Sequence, residues 1–295
     1  MLELSGFRAF RLLLMASLFL GDASLVAKEE RSEKHSTDVT NQSSTEMVQQ
    51  FLSDQQTDDA EAIGLIFRLD NEALPDLVKA LRQGKSVERA SRALAYLGGP
   101  DERKILRKAI AIEGDVDKKW IISSFLAGAL VEPVSEEEWD FLETSIKGYK
   151  NEARSFSSFS AVLALGTNAS PRALRLLQTI GSSDGPSTSD NDTVKGAGQA
   201  IRWISRRSAG GVSASAQTGS DSEQIKRTVM ENVFFAEGET EHLSIQRIVF
   251  TKDRNRALVS VEINRGPRDV HGYDIVLQRN AGTWKIAGVW FSWSA

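Results

Sequence analysis

The stretch Ser86–Ile110, SVERASRALAYLGGPDERKILRKAI, constrains the fold more than any other part of the chain. Val87, Ala90, Leu94 and Leu97 recur at helical spacing and form one apolar face. Gly98-Gly99 then stops the helix, because glycine takes the left-handed cap without a Cβ penalty. Pro100 falls at the start of a new helix, where its missing N–H costs nothing. Asp101 and Glu102 favour the positive end of that helix, and Ile105, Leu106, Ala109 and Ile110 supply its buried stripe. Two helices joined this tightly fold back on each other as a pair.

The same plan recurs along the chain. Ala161-Val162-Leu163-Ala164-Leu165-Gly166 repeats Ala93-Leu94-Ala95-Tyr96-Leu97-Gly98, and Pro171–Leu177 supplies the partner helix. Upstream, Ala60–Leu69 pairs with Leu74–Leu81, and between them Trp120–Val131 pairs with Glu136–Ile146. The second helices end at Leu81, Ile110, Ile146 and Ile180, at spacings of 29, 36 and 34 residues. A period in this range marks an α-solenoid of stacked helix pairs.

ALAYLGGPDERKILRKAI and ALPDLVKAL resemble the HEAT repeat family in the shorter form seen in bacterial proteins. The resemblance spans roughly half of the chain, residues 45–207, counted by the solenoid period. It implies second helices lining a concave side and a role in binding other proteins; repeats of this kind imply no particular activity. The repeats drift in length, and GSSDGPSTSDND (181–192) interrupts the last one before Val194–Ser205. The second helices carry Lys79, Arg82, Lys104, Arg107, Lys108, Lys147, Lys150, Arg172 and Arg175. One reading is a basic groove for an acidic protein segment or envelope polymer, with Lys104, Arg107, Lys108, Arg172 and Arg175 as candidate partner-binding residues. The other is that cations near helix C-termini complement the macrodipole and are balanced by acidic first turns such as Glu136-Glu137-Glu138.

Ser208–Ser222, SAGGVSASAQTGSDS, reads as a flexible linker. Beyond it, 223–295 forms a second domain. Ile225, Val229, Val233 and Ala236 make one helical face closed by Gly238, and the pattern then changes to period two. Leu243–Thr251 is a first strand. Ala257, Val259, Val261 and Ile263 alternate along a second, and Tyr273, Ile275 and Leu277 along a third. Trp284 and Ile286 open a fourth that continues through Val289, Phe291 and Trp293. Turns are expected at Asp253-Arg254-Asn255 and Asn280-Ala281-Gly282, with a bulge at Gly288 keeping Ile286 and Val289 on one face. The expected fold class is mainly α: a solenoid followed by a small α+β domain, one helix on a curled antiparallel sheet. YDIVLQRNAGTWKIAGVWFSWSA resembles the closing hairpin of the cystatin-like, nuclear-transport-factor-like cone fold, whose usual members carry additional N-terminal helices; either this is a short version, or Val194–Ser205 is recruited into the cone.

Residues 1–27 divide into the regions of a secretory signal peptide: Arg8 and Arg11, the apolar run Leu12–Leu20, and small residues with cleavage after Ala23 or Ala27. The run is short for a membrane span, which needs about 20 residues; retention of the segment as an anchor is the alternative to cleavage. Residues 28–44 are polar and charged and read as a disordered leader. An exported protein follows, periplasmic or extracellular in a bacterium. Cysteine is absent, which excludes disulfides, thiolate metal sites and a cysteine nucleophile. The net charge of -4 argues against a nucleic-acid partner.

No catalytic constellation is recognisable. His242, His271, Asp269, Tyr273 and Asp274 are scattered ionisable groups without partners at defined spacing, and Asp274 should face away from the Tyr273–Ile275 row. Asp190-Asn191-Asp192 starts like a calcium loop but lacks its glycine and distal glutamate. No cofactor, metal or phosphate-loop motif is present. Alternation takes Trp290 off the core row, so it reads either as an exposed contact anchor or as packing against the linker or repeats. The expected function is an exported non-catalytic scaffold, its repeats binding a protein partner and its C-terminal domain a small ligand or second partner. The alternative is a small-molecule enzyme or binder with a pocket in the C-terminal domain.

Overall fold

Stacked helix pairs followed by a four-stranded sheet make up the chain in a computed structural model, which describes residues 43–53, 59–148, 155–181, 192–210, 219–235, 243–266 and 269–294. The expected signal peptide, and all of the expected leader except Ser43 and Ser44, lie outside the described residues. The helices are α1 (Ser44–Ser53), α2 (Asp59–Leu69), α3 (Leu74–Arg82), α4 (Val87–Leu97), α5 (Pro100–Ile112), α6 (Val116–Gly128), α7 (Glu136–Lys147), α8 (Ser155–Asn168), α9 (Pro171–Gly181), α10 (Asp192–Gly210) and α11 (Asp221–Asn232). A 3-10 turn, Asp70–Ala73, joins α2 to α3. The strands are β1 (Leu243–Phe250), β2 (Arg256–Gly266), β3 (Asp269–Asn280) and β4 (Thr283–Ser294). The protein is mainly α, closed by a small α+β part, and Met47–Ala295 forms a single compact unit.

Local chemistry sets the helix ends. Gly98 caps α4 at φ 41° and its N–H donates to Leu94 O, while Pro100 opens α5. Asp115 accepts from the N–H groups of Asp117 and Lys118, so α6 begins at Val116, a turn ahead of the expected Trp120. Ser135 caps α7 in the same way. The first helices of the pairs, α2, α4, α6, α8 and α10, stack side by side in chain order, and α3, α5, α7 and α9 form a second layer against them.

The sheet is antiparallel in the order β1-β2-β3-β4. Ala281 and Gly282 both take positive φ, 49° and 82°, between the paired residues Asn280 and Thr283, the geometry of a two-residue hairpin turn. The ladder slips at Ala287, because Gly288 pairs with Val276 and Ile286 with Leu277. Ile286 and Val289 therefore share a face, as the Gly288 bulge predicts.

Both faces of the sheet are covered. One row, Ala257, Val259, Val261, Tyr273, Ile275, Leu277, Ile286 and Val289, is buried. Helix α11 lies against β4 and offers its buried Ile225 and Val229, and Asp221 at its start pairs with Arg279 at 3.3 Å. The opposite row, Val249, Leu258, Ser260, Asp274, Val276, Gly288 and Trp290, faces the first-helix layer. Helix α2 meets β1, and α6 and α8 meet β4.

Two local expectations change. Val233 and Ala236 were to extend the α11 face to Gly238, yet the helix ends at Asn232 and Val233 is extended. Val233, Phe234 and Phe235 are all buried, and three consecutive apolar residues cannot share one helical face. Extended chain delivers Phe234 to α8 and Phe235 edge-on to Tyr273, 5.2 Å between ring centroids. Ala236 and Gly238 lie outside the described residues. Of the expected linker, 208–210 completes α10, 211–218 lies outside the described residues, and Ser220 with Glu223 forms a capping box that starts α11.

Candidate interaction surface

The densest buried polar cluster joins α4 to the sheet. Asp274 accepts from Tyr96 Oη at 2.7 Å and Arg92 Nη2 at 2.9 Å on one oxygen, and from Ser260 Oγ at 2.9 Å on the other. Arg92 Nε also donates to Tyr96 Oη at 3.1 Å. Helical spacing makes this possible: Arg92 and Tyr96 are one turn apart on α4, while Ser260 and Asp274 are cross-strand partners on β2 and β3. Burial pushes the Tyr96 phenol well above its usual range, and the Asp274 carboxylate adds to the rise against the opposing pull of Arg92. Burial works against the Arg92 charge, but Tyr96 and Asp274 outweigh it and raise its pKa. The phenol thus stays a donor and the guanidinium stays charged, which holds α4 and β3 together through filled hydrogen bonds.

Trp290 lies beside this cluster, 2% exposed, with its ring 4.5 Å from that of Tyr96. Its Nε1–H donates to Phe125 O at 2.9 Å. The slot that receives it has no side chain on two sides. A Cβ at Gly128, the last residue of α6, would lie 2.3 Å from Trp290 Nε1, and one at Gly288 would lie 2.1 Å from Cη2. The expectation that Trp290 leaves the core row holds, but the exposed partner anchor does not: the indole is consumed inside the molecule. At the end of α4, Gly98 is covered by Arg256, whose guanidinium donates to Leu97 O and, at 2.8 Å, to Tyr96 O. Burial lowers the Arg256 pKa, with Asp70, Glu102 and Asp253 pulling the other way. A cation from β2 thereby satisfies carbonyls that α4 leaves open at its C-terminus.

The outer face of the second-helix layer is where the five cationic candidates fall, and ion pairs divide them. Arg107 Nη1 meets Glu137 Oε2 at 2.9 Å. Arg172 makes two 2.7 Å bonds to Glu136 and lies 4.6 Å from the Trp139 ring centre. The hydrogen bond from Arg172 holds the Glu136 carboxyl below its usual range, and Glu136 raises Arg172. Beneath them Arg103 pairs with the buried Glu138 at 3.1 Å, and Glu138 also accepts from Val134 N at 2.7 Å. These pairs tie α5 to α7 and α7 to α9. Lys104, Lys108 and Arg175, with Lys79 and Arg82, are exposed and enter no ion pair among the described residues. Lys147 pairs with Glu143 along its own helix at 2.6 Å. Lys150 lies outside the described residues.

Of the acid–base candidates, Tyr273, Asp274 and His271 have described side chains, and these three form no common site; of the Asp269 side chain nothing is described. Asp274 is engaged by its three donors, and Tyr273 is buried between the rings of Phe235 and Phe291. His271 lies 5.8 Å from the Phe291 ring centre. His242, and the Asp190-Asn191 part of the calcium-like run, lie outside the described residues. Among the described residues no group of three His, Asp or Glu side chains is gathered to hold a metal, and no helix is long and apolar enough to cross a membrane. Compared with protein-family models, curated proteins and solved structures, the chain finds no match.

Proposed function

We propose that the protein is an exported, non-catalytic scaffold whose second-helix layer binds a protein partner. In this reading the helix pairs are HEAT-like repeats and α11 with its sheet is a short cystatin-like cone. The observation that carries the reading is the disposition of the layers. The sheet occupies the first-helix layer with buried and part-buried contacts at α4 and α6, while the second layer keeps an exposed face whose Lys79, Arg82, Lys104, Lys108 and Arg175 enter no ion pair among the described residues. The C-terminal part then stiffens the array, and a second partner or small ligand on it is a subsidiary role. Export is supported by the charge and apolar pattern of residues 1–27.

In-cell crosslinking followed by mass spectrometry tests the scaffold reading. The expected result is a recurrent protein partner crosslinked through residues of α3, α5, α7 or α9. Recovery of no partner whose crosslinks fall within 60–205 would overturn it.

A further inference from the structure

We infer that the docking strip is the α3–α5 part of the second-helix layer and that it takes an acidic segment carrying a large apolar anchor. This inference rests on the scaffold reading and narrows it. The ion pairs already divide the layer in two. Glu136 and Glu137 at the start of α7 engage Arg172 and Arg107, so on α7 and α9 Arg175 alone stands exposed without an ion pair among the described residues. On α3 and α5, which pack side by side, Lys79, Arg82, Lys104 and Lys108 remain exposed without an ion pair among the described residues.

The strip also has a direction. Lys104, Lys108 and Ile112 follow one another at four-residue steps, so they form a single line down α5. Ile112 is 79% exposed and Val116, across the α5–α6 turn, is 58% exposed. They are two of the four large hydrophobic residues left exposed among the described residues. The acids at this turn have local work: Asp115 caps α6, and Glu113 accepts from Asp115 N at 2.9 Å. A partner that matches the line presents acidic groups to Lys104 and Lys108 and, about one helical turn further on, a leucine, isoleucine or aromatic side chain to Ile112 and Val116. Lys79 and Arg82 offer a second, parallel pair of cations for further acids. A polyphosphate or nucleic-acid chain would use the cations but leave the apolar end bare.

The test is selection of peptides from a random phage-displayed library on the full chain, followed by binding of the selected peptides to variants. The expected peptides are net acidic with at least one large apolar residue. They bind the Lys104→Glu/Lys108→Glu protein roughly tenfold or more weakly, since each reversal turns an attraction into a repulsion. They lose several-fold in Ile112→Ser and are unchanged in Arg175→Glu. All these positions are exposed, and matching far-UV circular dichroism shows that the variants fold. Acidic peptides indifferent to Ile112→Ser and displaced by polyphosphate would replace the inference with a generic polyanion strip. Peptides that are neutral or basic, or that bind the double reversal equally well, overturn it and leave the scaffold reading standing on another face. Failure to select any peptide counts against both.

Discussion

Gly166→Ala is a sharp test of how the C-terminal residues meet the helices, because two rules give it opposite signs. Gly166 lies in the last turns of α8, where alanine is ordinarily better than glycine by up to about 1 kcal/mol. With open space beside it, the substitution stabilises. In the fold, a methyl group at this position would lie 2.4 Å from Phe234 Cδ1 and 2.7 Å from Cγ, well inside the roughly 3.5–4.0 Å of a normal carbon contact. Phe234 has little freedom to retreat: it is 2% exposed and its N–H donates to Thr167 Oγ1 at 3.1 Å. Overpacking of this kind costs about 1–3 kcal/mol. Net of propensity, Gly166→Ala should destabilise by up to about 2 kcal/mol. Phe234→Ala alone should cost about 3–5 kcal/mol and open the space. In that background Gly166→Ala should become stabilising, giving a coupling equal to the overpacking term, about 1–3 kcal/mol, across the cycle. Urea unfolding of the four proteins at matched slopes measures it. A stabilising Gly166→Ala in the otherwise unaltered chain, or a coupling near zero, would refute the packing of Phe234 on α8.

Four further outcomes follow from the polar clusters. Asp274→Ala leaves the Arg92 charge largely buried without its carboxylate and should cost about 3 kcal/mol in urea unfolding, the lower end for a broken buried pair because Arg92 retains some exposure; a loss below about 1 kcal/mol would mean that water replaces the carboxylate. The Tyr96 phenol has a folded pKa above its unfolded value near 10, so its contribution is complete below pH 10 and is lost as pH climbs toward the folded value. Stability should therefore fall by up to about 1.4 kcal/mol per pH unit more steeply in this chain than in Tyr96→Phe above pH 10, and parallel curves would contradict the burial of the hydroxyl. For Arg103 and Glu138, either single replacement, Arg103→Met or Glu138→Leu, should cost about 3–5 kcal/mol and the double replacement clearly less than either, as thermal melts can compare. In carboxyl NMR titration Glu136 should protonate below the ordinary glutamate range and return to it in Arg172→Ala; the same low midpoint in the variant would deny the bidentate contact.

Much of the architecture is legible in the chain because helix pairs and hairpins report themselves locally. Gly98-Gly99-Pro100 reads as a stop and start, Ala281-Gly282 as a turn, and Gly288 as a bulge that returns Val289 to the row of Ile286. The docking of the sheet is not local. Period-two alternation divides β3 into a Tyr273 row and an Asp274 row, but nothing in β3 says what covers the second row. Trp290 leaves the core row in sequence and is buried on the other face of the sheet, against Tyr96 and Gly128. One signal does carry the layer order. Helix α8, SFSSFSAVLALGTN, has no charged residue, and α4 is buried at Val87, Ala90, Ser91 and every position from Ala93 to Leu97. A helix apolar all round requires neighbours on all sides, which a two-layer array of pairs does not provide. The glycines are harder to read. Gly128 and Gly166 look like repeat punctuation, while their second reason is a large side chain more than sixty positions away, at Phe234 or Trp290. An absent side chain leaves no pattern of its own.

The order of strands over helices has a consequence for how such a chain can change. β1 lies on α2, Arg256 of β2 and Asp274 of β3 reach α4, and β4 lies on α6 and α8. The sheet therefore works as a strap laid across the array. A helix pair inserted between α4 and α6 would carry Gly128 about one helix spacing away from Trp290. Stacked repeats ordinarily gain and lose units by duplication; here α2, α4, α6 and α8 are all held to one four-stranded sheet, so a unit inserted between them breaks those contacts and growth is open only beyond them.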